Sequence, residues 1–179
     1  MQALYFIAIL PDAELSIEIT ELKKHVAENF YSKAALKLPP HITLFPPFKW
    51  DDKNEDIIVG SLNDFIIGKV PFTILLDGLG CFEPRVIFIK PNHSESLNKL
   101  RTDLLSFLKT SISLSDSQNE RPFRPHITLA SRDLQKEYFY KAWEEFRDKE
   151  FKRTFEVNSI ALLKHNGKFW DILGAFPFQ

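Results

Sequence analysis

A five-residue string, Pro-His-Ile-Thr-Leu, occurs twice in this chain, at residues 40–44 and 125–129, placing His41 and His126 85 positions apart. In an extended segment side chains alternate between faces, so His41, Thr43 and Phe45 share one face while Ile42 and Leu44 point to the other. His126 and Thr128 repeat the arrangement. The apolar positions anchor each segment in a core, leaving an imidazole and a hydroxyl exposed. Two lobes related by a pseudo-twofold axis would line a shared cleft with two of each. That set suits phosphoester chemistry: histidine titrates near neutrality, so one imidazole can take a proton from water while another gives one to a departing oxygen. The Thr43 and Thr128 hydroxyls can donate to phosphoryl oxygens whose charge redistributes in the transition state. One His-x-Thr in a strand is usually structural; two in matching settings favour function. Zinc is the weaker reading, because two histidines so far apart lack a third ligand and the local spacing of ordinary sites.

The elements around the motifs also repeat. Residues 2–10 read as a buried strand. Leu15, Ile19, Leu22, Val26 and Phe30 then trace one stripe of a helix from about Asp12 to Tyr31. Pro39-Pro40 breaks it, and the His41–Phe45 segment closes at Pro46-Pro47, since proline cannot donate to a sheet ladder. A helix over Asn54–Ile67 and a strand over Val70–Leu76 follow. From Arg85 the order returns: a strand at Val86–Ile89, a helix carrying Leu97, Leu100, Leu104 and Leu108, and the second motif. A helix from Leu134 to about Lys149 and a strand at Phe155–Leu163 complete it. Repetition of string and setting predicts an internal duplication within a single domain spanning 1–179. Asn166-Gly167 predicts a hairpin joining Phe155–Leu163 to Lys168–Phe176, while Asp77-Gly78-Leu79-Gly80 reads as a turn.

The composition sets outer limits. The formal net charge is −1 and 44% of residues are hydrophobic, which excludes a strongly basic nucleic-acid clamp and a disordered chain. The single Cys81 closes no internal disulfide, so a cytoplasmic location is expected. The apolar N-terminus has no basic leader and stops at Pro11, far short of a membrane span. His25, His93 and His165 read as solvated. Arg121, Arg124, Arg132 and Lys136 form a basic group most simply explained as surface charge.

The paired motifs, with the run Arg-Pro-His-Ile-Thr-Leu, the opening strand ending in Leu10-Pro11 and the segment Leu76–Phe82, resemble the 2H phosphoesterase superfamily and its LigT-like, or 2′-5′ RNA ligase-like, branch. The resemblance implies a bilobal α+β fold with two antiparallel sheets about a central cleft. It also implies metal-independent action, without cofactor, on 2′,3′-cyclic phosphates or 2′-5′ linkages of RNA ends or small nucleotides. Carried across, His41 and His126 match the catalytic histidines and Thr43 and Thr128 the phosphate-binding hydroxyls, with His126 as base, His41 as acid and a 2′-phosphate product. The identical motifs do not themselves assign those roles. Arg132 stands one place late for a phosphate role by the tighter forms of the motif, and Arg124 is the better match for substrate binding. A monomer is expected. The rival reading is a non-catalytic nucleotide- or RNA-binding module using the same cleft. On the cleft face Phe45 is the one aromatic of the twin strands, and it is expected to stack on the nucleobase, with Phe82 or Tyr5 as substitutes.

Overall fold

The computed structural model describes residues 1–115 and 122–179. Its elements in chain order are β1 (Gln2–Ile9), α1 (Ala13–Phe30), β2 (Ile42–Asp51), α2 (Glu55–Phe65), β3 (Phe72–Phe82), β4 (Val86–Pro91), α3 (Glu95–Ile112), β5 (Ile127–Ala130), α4 (Lys136–Phe146), β6 (Lys152–Val157), β7 (Ser159–His165) and β8 (Trp170–Pro177). Two four-stranded antiparallel sheets result, ordered β2-β1-β7-β8 and β5-β4-β3-β6. The fold is α+β, as the sequence suggests, and no helix of the described residues is long and apolar enough to cross a membrane.

Local chemistry explains the helix starts. Asp12 accepts from the Leu15 N–H at the head of α1, and Ser94 does the same for Leu97 at the head of α3, each satisfying a donor the first turn leaves free. The stripes then bury: Leu15, Ile19, Val26 and Phe30 on α1, with Leu22 only half-buried, and Leu97, Leu100, Leu104 and Leu108 on α3. Helix α1 packs on β5 and α4, and α3 packs on β2 and α2, so each repeat's first helix covers the other repeat's motif strand.

The strands interlock in the same way. After α2, β3 enters the second sheet beside β4; after α4, β7 enters the first sheet beside β1. The single strand expected over Phe155–Leu163 is therefore two, broken at Asn158, with β6 and β7 in different sheets. The 166–167 hairpin joins β7 and β8. The segment expected to turn at 77–80 instead belongs to β3. Gly78, at φ +73°, sits in a register irregularity between Leu76 and Leu79, a bulge that a glycine backbone accommodates without strain. Nor do Pro46 and Pro47 end β2, which runs to Asp51. It is an edge strand of its sheet, where a missing N–H can face solvent.

Candidate active site

Both motif histidines sit immediately before the strands that carry their threonines, and the same backbone device fixes both rings. The His41 Nδ1–H donates to the Pro39 carbonyl at 2.8 Å, and the His126 Nδ1–H donates to the Arg124 carbonyl at 2.7 Å. Each bond spans the motif proline, which holds the preceding residue extended. The consequence is a fixed tautomer: Nδ1 is committed as a donor, and Nε2 is the nitrogen left for proton transfer. Aromatic neighbours hold the ring planes, Phe6 against His41 at 5.0 Å between centroids, and Phe82 and Phe88 against His126 at 5.2 Å each.

Burial lowers both imidazole pKa values. His41 is pushed down to about 4, first by desolvation, with the charges of Lys23 and His126 adding to it and the Pro39 hydrogen bond opposing. His126 is lowered by desolvation against the Arg124 hydrogen bond. Both rest neutral at pH 7, and each is ready to accept a proton.

A cavity of about 600 Å³ brings His41, Thr43 and Thr128 together, and a second hollow of about 380 Å³ joins Thr43 to His126, Arg124 and Phe82. Thr43 borders both, so the two motifs meet at one place. Arg124 is exposed in the smaller hollow. Arg132 lines the larger cavity despite its late position in the sequence, its backbone in the left-handed region at φ 56°. Arg121 lies outside the described residues.

Phe45 is not on the cleft face. It is 1% exposed and meets Phe48 edge-on at 5.2 Å. The cause is a bulge: β1 pairs Ile7 with Phe45 but Ala8 with Thr43, so β2 spends an extra residue at Leu44 and reverses its facing. The second motif has the same bulge, with Ile87 opposite Ala130 and Phe88 opposite Thr128, and Ala130 is fully buried too. Tyr5 is likewise excluded as a platform, because it is buried and donates to Glu55 at 2.8 Å.

Three further residues line the larger cavity, and one of them, His165, expected to be solvated, is half-buried there. His165 accepts the Gly167 N–H at Nδ1, and Trp170 packs edge-on against both His165 and Phe6, at 4.9 and 4.7 Å; both belong to a hairpin whose sequence announces only its turn. Lys23 lies on α1, 2% exposed, and its ammonium donates to the carbonyls of Ala35 and Leu38 at 3.1 Å each. Its place four residues after Ile19 and three before Val26, on the buried stripe, is the signal that could have found it.

The sequence profile of the 2′-5′ RNA ligase superfamily matches residues 11–169. A relative from Oceanobacillus iheyensis, provisionally named a phosphoesterase, is 30% identical over 175 residues, covering 96% of each chain. One from Bacillus cereus, provisionally named in the same way, is 29% identical over 125 residues, 69% of this chain and 66% of that one. Among solved structures, Escherichia coli LigT in complex with 3′-AMP shares the fold with a TM-score of 0.70 at 20% identity, covering 100% of this chain and 99% of that one. A Thermus thermophilus protein does so at 0.69 and 21%, covering 99% and 98%. With its twin His-x-Thr strands and this match over most of its length, the chain belongs to the 2′-5′ RNA ligase superfamily of 2H phosphoesterases.

Proposed function

We propose that this phosphoesterase hydrolyses 2′,3′-cyclic phosphates, on RNA ends or on nucleotides, to 2′-phosphates, and that the same site run in reverse can join 2′-5′ RNA ends. The observation that carries the reading is the paired His41 and His126 with matched Nδ1 anchors and, among the described residues, no hydrogen bond at Nε2, bordering cavities that share Thr43. One imidazole takes a proton from water as its oxygen attacks phosphorus. The other gives a proton to the ribose oxygen as the phosphorus–oxygen bond breaks, and the Thr43 and Thr128 hydroxyls donate to the phosphoryl oxygens. The resemblance makes His126 the base and His41 the acid. In that assignment the bound phosphate must raise His41 from its low resting value before it can donate. E. coli LigT has been crystallised with 3′-AMP, ATP and NADP+, which supports a nucleotide-bearing substrate here. A panel of nucleoside 2′,3′-cyclic phosphates and 2′-5′-linked dinucleotides in excess chelator tests the reading. Turnover of cyclic phosphates is the expected outcome, whereas binding without turnover across the panel favours the non-catalytic module.

The pH profile of kcat/KM follows from the free enzyme's imidazoles. Both values lie below the ordinary 6.5, so activity should rise with pH as the base loses its proton and fall as the acid does, with both limbs on the acid side of 6.5. A bell centred above pH 7 would contradict the assigned burial of the pair.

With Phe45 in the core, the base platform moves to Trp170, half-buried on the wall of the larger cavity. Stacking of one base is worth ~1 to 3 kcal/mol. Trp170→Ala should therefore raise KM for nucleotides about five- to a hundredfold, with a smaller change in kcat. An unchanged KM would return the search to Phe82 in the adjoining hollow.

A further inference from the structure

We propose that Lys23 is an anion-binding residue of the cleft, its ammonium taking an anionic oxygen of the substrate's phosphoryl group beside His41; this rests on the phosphoester reading above. The first observation is that Lys23 is a buried lysine with no ion-pair partner among the described residues. Its two hydrogen bonds go to neutral carbonyls, Ala35 and Leu38, which leaves one of its three N–H groups uncommitted among the described residues. Burying an unpaired ammonium is costly enough that such groups normally find a carboxylate.

Among the described residues the cavity supplies a single carboxylate, and it is already engaged. The same cavity is lined by His41 at the head of β2, Lys37 at the end of a 3₁₀ turn over Ala34–Lys37, His165 and Lys168 from the β7–β8 hairpin, and Arg132 with Asp133 after β5. Asp133 is the carboxylate among them, and both its oxygens are engaged: Oδ1 accepts from the Ser32 hydroxyl at 2.7 Å, and Oδ2 from the Lys33 and Ala34 N–H groups at 2.8 and 2.9 Å. The others are two lysines, an arginine and two imidazoles. A phosphate oxygen entering the cavity is the anion this arrangement lacks, and in a half-enclosed site its attraction to an ammonium is screened far less than in water.

The second observation is a break in the internal symmetry. Counting from the two capping residues, Asp12 of α1 and Ser94 of α3, Lys23 corresponds to Leu105. Leu105 is buried and apolar, as the covering face of such a helix requires. The first repeat has thus exchanged a core leucine position for a cation on the His41 side alone. The electrostatic cost agrees, since burial pulls the Lys23 ammonium down to about 7 and its charge helps depress His41. A bound phosphate would reverse both effects.

The test uses inorganic phosphate and a 2′,3′-cyclic nucleotide with the full chain. Lys23→Met should weaken phosphate binding about ten- to a hundredfold, the range for a hydrogen bond to a charged group. It should lower kcat/KM on the cyclic nucleotide, and raise the pH at which His41 titrates by NMR; Lys23→Arg should recover part of the loss. Should Lys23→Met fail to fold, the wild-type lysine ε-methylene resonance decides the matter: saturating phosphate is expected to move its titration upward from about 7, and an unmoved titration overturns the proposal. Phosphate affinity and turnover in Lys23→Met equal to wild type also overturn it, while leaving the cyclic-phosphate reading intact. The converse result, phosphate binding that depends on Lys23 in a protein inert toward cyclic phosphates, upholds the anion site and removes that substrate class.

Discussion

Replacing His41 or His126 by alanine is expected to lower turnover of a 2′,3′-cyclic phosphate by ~10²- to 10⁴-fold, the usual worth of a positioned proton-transfer group. Each substitution removes one half of a coupled event, because attack by water and departure of the ribose oxygen each need a proton moved. The double variant should therefore lose much less than the product of the two single effects, since residues acting as a unit are not additive. Structure should survive: each ring is half-buried at a cavity wall and makes one hydrogen bond to a backbone carbonyl beside aromatic neighbours. Circular dichroism and melting temperature check that the variants fold, and steady-state kinetics give the effect. Near-normal turnover in either single variant contradicts a two-histidine mechanism.

Phe45→Ala is expected to act on stability. The side chain is 1% exposed within the core shared by β1 and β2 and packs against Phe48, and truncating a buried phenylalanine costs ~3 to 5 kcal/mol. In a chain of 179 residues that corresponds to a melting temperature lower by roughly 6 to 20 °C. Below the transition, KM for nucleotides should be close to wild type, because the ring faces away from Thr43. The opposite pattern, an unchanged melting temperature with a raised KM, would mean that β2 carries no bulge at Leu44 in solution.

That bulge marks where the sequence stops being legible. Strict alternation places Thr43 and Phe45 on one face, and nothing in His-Ile-Thr-Leu-Phe announces that the ladder takes an extra residue at Leu44; the irregularity is set by pairing with Ile7 and Ala8, some 35 residues earlier. The motif histidines, their threonines and the helix stripes were readable because spacing alone determines them. The destinations of β3 and β7 were not, since β3 is an apolar strand after α2 and β7 runs on from β6 with only Asn158 between them, and only the sheets that receive them show that each enters the other repeat's sheet. Lys23 was hidden by its type, because a lysine beside Lys24 and His25 looks solvated until the buried stripe of α1 is followed through it. Trp170 and His165 became cavity residues only when the last hairpin folded back beside β1.

Two imidazoles and two hydroxyls, set around two cavities that share Thr43, are proposed to open a cyclic phosphate. A phosphorus NMR time course on a nucleoside 2′,3′-cyclic phosphate, with wild-type protein and excess chelator at pH 6, tests this proposal most directly. The cyclic resonance is expected to decay into a single 2′-phosphate signal, and the His41→Ala, His126→Ala protein is expected to leave it unchanged over the same period. A cyclic resonance that persists with the wild-type protein, or one that decays equally fast with the double variant, would contradict it.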